Sequence, residues 1–294
     1  MTRSLLCYKK LRQPKRLKDK LNTTEGNMTT LAVIGSCMSN LTAARLVSVF
    51  GFDQTHCVHH NRSDTFLKYY VDRTFDMIPK YRFDSLIMKP GYGENERAIL
   101  DNQYLDSLGF FQLENRKRTG KTFLDDLREI KIDLILLDNF MDVASMLMCD
   151  TSDQAFAERP LFINIGFYEQ EHELAEKFSF TPFLSPLESA HNWLRIYHWL
   201  RKLQPDAKIV FLPYHTCSSL TDRSRYERVI GFSSIFARLA TAENLIVIPP
   251  LELASEMTKG EQDWPHFQDN VYLGLAGQVY LKYINQDKII GLPL

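Results

Sequence analysis

The sequence predicts an α/β fold, a three-layer α/β/α sandwich with a mainly parallel central sheet. First, short continuous runs of Ile, Val and Leu recur along the chain, as at residues 134–137, which is typical of strands buried on both faces of a parallel sheet. Second, longer segments with helical periodicity separate these runs. Third, a turn-forming residue ends most of the runs, as Gly35, Pro213 and Pro249 do.

The predicted elements follow one another regularly from residue 30. The predicted strands are Leu31 to Ile34, a short one near Ser85 to Met88, Leu134 to Leu137, Lys208 to Leu212 and Leu245 to Ile248. The predicted helices are Asn40 to Phe50, Phe123 to Glu129, Pro186 to Leu203, Arg223 to Ala242 and Val271 to Ile284. Insertions that carry helices are expected between residues 51 and 130 and between 141 and 185, with residues 51–120 mostly irregular.

Composition excludes several classes of protein. The chain of 294 residues is 45% apolar, enough for a substantial core, and we interpret it as a basic, disordered extension over residues 1–28 followed by one domain over 29–294. A formal net charge of -1 argues against a nucleic-acid partner. No apolar run approaches the roughly 18 residues that span a bilayer. Five scattered cysteines without a C-x-x-C pair predict a reducing, cytoplasmic location without a disulfide framework.

The most informative segment runs from Leu31 to Asn40, where an apolar strand ends in Gly35-Ser36-Cys37 just before a helix. Such a turn places small polar groups beside the N–H groups of a helix N-terminus, where oxyanions are stabilised and a thiol is biased toward the thiolate. We therefore expect Cys37 to be a nucleophile, with its own amide and that of Met38 as oxyanion donors. The alternative is a small residue packed at a tight turn.

A second candidate motif lies near the other end of the chain. Asp263 stands three residues before His266, so the pair can supply a base and the carboxylate that orients it. Asp269 and Asn270 are better cap candidates for the last helix, which leaves Asp263 and His266 without that duty. A surface loop is the alternative reading.

Further polar residues follow the central strands. Asp138 and Asn139 end one strand, where Asn139 can donate to an oxyanion or the pair can form an ordinary Asx turn. His215, after Pro213, is the rival candidate for the catalytic base.

The remaining histidines are assigned no catalytic role. His59 and His60 lie near His56 and Cys57, but the spacing does not favour a metal site, and none is predicted. His191 and His198 are expected to pack on their helix.

Together, the two ends of the chain resemble the SGNH (GDSL-like) hydrolase superfamily. Gly35-Ser36-Cys37 is similar to its first block, Gly-Asp-Ser, with Cys37 in the nucleophile position and Ser36 in place of the aspartate, and Asp263 with His266 matches the last block. The apolar helix that follows, with Gly277, is similar too. Asn139 falls near the position of the family's oxyanion asparagine, without the Gly-x-Asn-Asp form. Gly91 and Gly93 are the candidates for the second-block glycine.

The Gly-Ser-Cys form more closely resembles a set of bacterial SGNH-like proteins related to capsule-polysaccharide biosynthesis proteins that handle acyl groups or coenzyme A. This resemblance implies a flavodoxin-like sandwich and acyl-ester chemistry, either hydrolysis or O-acyl transfer, on a carbohydrate or polysaccharide precursor. Cys37 attacks the acyl carbonyl, His266 takes the proton and Asp263 orients His266. No cofactor is required, and a coenzyme A thioester is one candidate acyl donor.

Two other functions stay open at this point. One is a non-catalytic module that binds coenzyme A or a sugar nucleotide in polysaccharide biosynthesis. The other is a glycan-modifying transferase with a nucleotide-type donor, for which Lys89 and Arg62 are the candidate phosphate ligands. The sequence leaves open whether Ser36 or Cys37 is the nucleophile, and also the acyl group, the acceptor and the oligomeric state.

Overall fold

The computed structural model describes residues 29–54, 59–105, 122–151, 153, 157–243, 245–260 and 265–285. The predicted extension 1–28, Cys57 and Asp263 lie outside the described residues. The strands are β1 (Thr30–Ile34), β2 (Asp53–Gln54), β3 (Leu134–Asp138), β4 (Met148–Asp150), β5 (Phe178–Phe180), β6 (Lys208–Leu212) and β7 (Ile246–Val247). The helices are α1 (Cys37–Phe50), α2 (Ser63–Phe66), α3 (Glu94–Asp101), α4 (Phe123–Glu129), α5 (Phe140–Ala144), α6 (Glu171–Lys177), α7 (Pro186–Leu203), α8 (Arg223–Ala242) and α9 (Asp269–Asn285).

A five-stranded parallel sheet with the order β2-β1-β3-β6-β7 forms the centre of the molecule. Without the inserted strands β4 and β5, this is the 2-1-3-4-5 order of flavodoxin-like doubly wound proteins. In the register of β1 and β3, Leu31 lies opposite Leu134 and Ile34 opposite Leu137. The carboxyl ends of the two central strands therefore lie side by side, and the predicted parallel sandwich is confirmed.

The apolar strands serve two cores because successive side chains point to opposite faces of a sheet. On one face, Ile34 and Phe211 belong to a core that includes residues of α4, α7 and α8. On the other face, Val33 and Val210 belong to a core that includes residues of α1 and α9. This arrangement explains why the strands read as continuous apolar runs and not as alternating ones.

Several predicted elements are confirmed and several need correction. The bounds of α4, α7 and α8 match the prediction, with capping boxes at Thr122 and Ser185. Helix α1 begins at Cys37 and not near Asn40, because the Ser36 side chain accepts a hydrogen bond from the Met38 amide and caps the helix three residues earlier. The last strand of the sheet is shorter than predicted, and α9 begins at Asp269.

The predicted strand near Ser85 to Met88 is wrong, since Met88 makes only an isolated bridge to Tyr168. The bridge joins the two insertions, which together bury a third apolar core. We call the two insertions with this core the inserted lobe. Phe83 and Leu100 contribute to this core from the first insertion, and Leu161, Tyr168 and Phe178 are among the contributors from the second. The lobe also contains the antiparallel pair β4–β5. The first insertion follows β2 and the second follows β3. Both therefore begin at the carboxyl ends of the parallel strands, where Cys37 also lies. Within the described ranges, no helix is both long and apolar enough to cross a bilayer.

Candidate active site

In the Gly35-Ser36-Cys37 turn, Cys37 is accessible from outside and Ser36 is buried. Ser36 is 2% exposed, while Cys37 is partly exposed. The Ser36 hydroxyl accepts from the Met38 amide at 3.2 Å and donates to Asp138 at 3.1 Å. Cys37 is the first residue of α1, so its amide has no acceptor within the helix. The geometry thus favours Cys37 over Ser36 as the group that meets a substrate.

Asp138 fastens this turn to the sheet. Its Oδ2 accepts from the amides of Ser36 and Ser39 at 2.8 and 3.1 Å, and from the Ser39 hydroxyl at 2.5 Å, besides the bond from the Ser36 hydroxyl. Its Oδ1 accepts from the Phe140 amide at 3.0 Å, which is the Asx turn that the sequence left as an alternative. A Cβ on Gly35 would lie 2.5 Å from Asp138 Oδ2. Glycine is therefore required here, because the carboxylate fills the space of a side chain.

Two imidazoles act on the Cys37 thiol. Burial raises the pKa of Cys37, but hydrogen bonds from His266 and His60, together with their charges, outweigh burial and lower the pKa to about 6. Neutral pH therefore favours the thiolate, which is the nucleophilic form. The sequence predicted His266 at this place and did not predict His60.

His266 is held directly ahead of α9. Its carbonyl accepts from the Lys259 amide at 3.0 Å, and the next residue, Phe267, is buried and donates its amide to the Tyr272 hydroxyl at 2.9 Å. Both bonds hold the peptide group between His266 and Phe267, which fixes the backbone on the C-terminal side of the imidazole. The loop that carries His60 is tied to the nucleophile turn, because the His59 amide donates to the Gly35 carbonyl at 2.7 Å.

Asn139 offers an amide donor at the same edge of the sheet. It is 1% exposed, and its Oδ1 accepts from the Tyr214 amide at 2.8 Å. Its Nδ2 is buried and has no hydrogen-bond partner among the described residues. A buried amide without an acceptor is costly unless a ligand supplies one. Met38 is a weaker candidate donor than Asn139, because its amide already donates to Ser36.

His215, the rival base, is buried in a neutral environment. Burial lowers the pKa of His215 to about 4, against a smaller opposite effect of the Pro213 carbonyl. Its Nδ1 accepts from the Leu251 amide at 3.3 Å. Because the imidazoles acting on Cys37 are His266 and His60, the geometry gives His215 no part in activating the thiol.

Other predicted residues lie away from this chemistry. His191 and His198 are exposed, so the prediction that they pack is wrong; the buried side of α7 carries Ala190, Trp193 and Tyr197 instead.

The candidate phosphate ligands are already paired. Lys89 forms an ion pair with Glu171. Arg62 pairs with Asp64 at 2.7 Å and donates to two backbone carbonyls. Gly91 and Gly93 lie in a loop ahead of α3, and no cluster of metal-ligating side chains occurs in the part of the chain that the structure describes.

The fold is similar to those of several solved esterases and lipases. An acetyl xylan esterase from the rumen bacterium Butyrivibrio proteoclasticus matches at 12% identity and a TM-score of 0.44, over 90% of this chain and 65% of that chain. An active-site mutant of a family two carbohydrate esterase from Clostridium thermocellum matches at 8% identity and a TM-score of 0.42, over 89% of this chain and 65% of that chain. An extracellular lipase from Streptomyces rimosus matches at 11% identity and a TM-score of 0.37, over 88% of this chain and 99% of that chain.

This chain thus spans less than two thirds of the length of both esterases. No protein-family model and no curated protein sequence matches it. Since all three TM-scores lie below 0.5, the fold assignment depends on the sheet order and not on these matches.

Proposed function

We propose that this protein is an SGNH-like enzyme that hydrolyses acyl esters, with Cys37 as the nucleophile and His266 as the general base. The observation that carries the proposal is the Cys37 thiol at the N-terminus of α1, hydrogen-bonded by imidazoles and with its pKa lowered to about 6. Such a thiol is ionised at neutral pH and attacks carbonyl carbon without prior activation.

In the first half of the reaction, the Cys37 thiolate bonds to the ester carbonyl carbon, and the carbonyl electrons move to oxygen. The Cys37 amide and the Asn139 Nδ2, which lacks a partner, are the proposed donors to this oxyanion. When the oxyanion collapses, the bond between the acyl carbon and the alcohol oxygen breaks. The imidazolium of His266 gives its proton to that oxygen, which leaves a thioester on Cys37.

In the second half, neutral His266 takes a proton from water as the water oxygen bonds to the thioester carbon. The carbon–sulfur bond then breaks, so that the acid leaves and the thiolate returns. We propose that Asp263, three residues before His266 in the sequence, orients the imidazole for both transfers. Acyl transfer is the same chemistry with a sugar hydroxyl in place of water. The proposed substrates are acylated carbohydrates or polysaccharide precursors, the class implied by the sequence resemblance.

Hydrolysis of p-nitrophenyl acetate and of acetylated xylo-oligosaccharides by wild type, Cys37→Ala and Cys217→Ala tests the proposal. Cys217 is a buried thiol with its own partner, the Ser219 hydroxyl at 3.0 Å, and serves as the control cysteine. We expect Cys37→Ala to lose turnover and Cys217→Ala to retain it. Equal activity of wild type and Cys37→Ala contradicts the proposal, and coenzyme A binding without any turnover favours the binding module.

A further inference from the structure

We propose that His60 is a second working imidazole of this site, which donates a hydrogen bond to Cys37 and holds the thiolate while His266 carries the protons. This role goes beyond a Cys-His-Asp arrangement, which contains one histidine. The inference rests on the proposed acyl chemistry for its catalytic meaning, but the contact between His60 and Cys37 does not depend on any substrate.

His60 lies on a loop that is tied to the nucleophile turn. His60 follows β2, the edge strand beside β1, and the preceding residue donates its amide to the Gly35 carbonyl at 2.7 Å. His266 reaches the same thiol from the loop ahead of α9. The two imidazoles therefore approach Cys37 from segments that are far apart in sequence.

A structural role does not account for the side chain of His60. The backbone amide of His60 donates to the Asn102 carbonyl at 3.4 Å, and this bond joins its loop to the segment after α3. The side chain adds no bond to the loop through Nδ1, which is buried and has no hydrogen-bond partner among the described residues. Buried polar atoms in structural positions are normally paired.

Two imidazoles at one thiol can divide the tasks of stabilising the thiolate and moving protons. A thiolate has no proton and accepts hydrogen bonds only, so both imidazoles act on it as donors. While His266 takes the proton of the attacking water, His60 remains as the donor that meets the sulfur when the carbon–sulfur bond breaks and the thiolate returns. Asp138, the carboxylate behind the turn, accepts hydrogen bonds from the Ser36 and Ser39 amides and, as an acceptor itself, offers the thiolate no hydrogen bond.

The test is the pH dependence of alkylation of Cys37 by iodoacetamide, resolved from the other cysteines by peptide mass spectrometry. The variants are His60→Gln and His266→Gln, and His191→Gln is the matched control because its imidazole is exposed on α7. We expect a midpoint near pH 6 in wild type and in the control. In His60→Gln the midpoint should rise by about one unit, since a nearby charge or hydrogen bond to the ionised form shifts a pKa by roughly this much or more. An unchanged midpoint in folded His60→Gln overturns the proposal.

A burst experiment with p-nitrophenyl acetate separates the two imidazoles further. Its leaving group needs no proton, so His266→Gln should acylate and then stop. His60→Gln should acylate about threefold more slowly at pH 6.5, as a one-unit rise in the thiol pKa implies, and recover near pH 8.5. A defect of equal size at both pH values contradicts the assigned role.

A measurement that leaves His60 in place covers the case in which His60→Gln does not fold. In ¹⁵N-histidine NMR spectra at neutral pH, the imidazole ¹⁵N resonances of His60 should move in Cys37→Ala relative to wild type, since the hydrogen bond to sulfur is lost. Unchanged His60 resonances overturn the inference. Alkylation and NMR need no ester, so a wild type that turns over no substrate but shows both shifts refutes the proposed function and leaves the role of His60 intact.

Discussion

Replacing Asp138 with asparagine tests whether one buried carboxylate holds the Cys37 turn in place. Asp138 is 2% exposed, and its Oδ2 receives four hydrogen bonds from Ser36 and Ser39 while Oδ1 receives one from Phe140. An asparagine that keeps its oxygen toward the turn must point its amide at the Phe140 N–H. That donor is then left without an acceptor.

The magnitude follows from these bonds. A buried donor left unpaired costs about 1–3 kcal/mol. The four remaining bonds lose the assistance of charge, which roughly doubles the strength of a hydrogen bond. Together we expect Asp138→Asn to lower the free energy of unfolding by about 3–5 kcal/mol. For a chain of 294 residues this corresponds to a fall in Tm of roughly 5–8 °C.

Asp133→Asn is the matched control. Asp133 precedes the same strand β3 at its other end, and its Oδ2 accepts from the Thr30 amide at 2.8 Å. A carboxamide can rotate to keep that bond, so a loss of about 1 kcal/mol or less is expected. Urea unfolding measures both variants, and the alkylation rate of Cys37 at pH 7 reports whether the turn has moved. Equal stability losses in the two variants, or unchanged alkylation in Asp138→Asn, would refute the reasoning.

Four further outcomes follow from the same geometry. Gly35→Ala forces a Cβ to 2.5 Å from Asp138 Oδ2, so calorimetry should show a loss of about 1–3 kcal/mol together with lost activity; a stable, active variant contradicts the close packing. Asn139→Ala should lower kcat on the order of a hundredfold if its Nδ2 binds the oxyanion, whereas unchanged kcat removes it from that role. Removal of a general base lowers kcat by roughly 10²–10⁴-fold. Because His215 has no part in activating the thiol, His215→Gln should not show a loss of this size, and a loss this large would contradict the assignment of His266. Asp142 lies in α5 and accepts hydrogen bonds from the Ser63 amide, the Ser189 hydroxyl and the Trp193 indole. Burial raises the pKa of Asp142 from 3.8 to about 6, so its contribution to stability is full below pH 4 and is lost as pH rises through about 6. Between pH 4 and pH 7, the free energy of unfolding of wild type should therefore fall by on the order of 3 kcal/mol relative to that of Asp142→Asn. Parallel curves of unfolding free energy against pH for the two proteins would contradict the raised pKa.

Local signals made much of the framework predictable. Helices α4 and α7 each begin at a capping box that is visible in the sequence, Thr122 with Asp125 and Ser185 with Glu188. The strands were readable because burial on both faces demands continuous apolar runs. The proximity of Cys37 and His266 was also expected, from the order of the two motifs and the resemblance that they carry.

The remaining features depend on contacts between distant segments. Asp138 meets donors that lie about a hundred residues earlier in the chain, so no local pattern identifies it as the support of the turn. His60 looked like part of a weak metal motif, and only the bond from the His59 amide to Gly35 places it beside Cys37. The inserted lobe escaped prediction because two separate insertions assemble its core.

The most direct test of the central claim is to trap the acyl group on the protein. Wild type, Cys37→Ala and His266→Gln are mixed briefly with p-nitrophenyl acetate or acetyl-coenzyme A, quenched in acid, and analysed by intact mass and peptide mapping. The account predicts one acetyl group on Cys37, transient in wild type, persistent in His266→Gln and absent from Cys37→Ala. An acetyl group on other residues, or turnover by wild type without any adduct on Cys37 in His266→Gln, would contradict it.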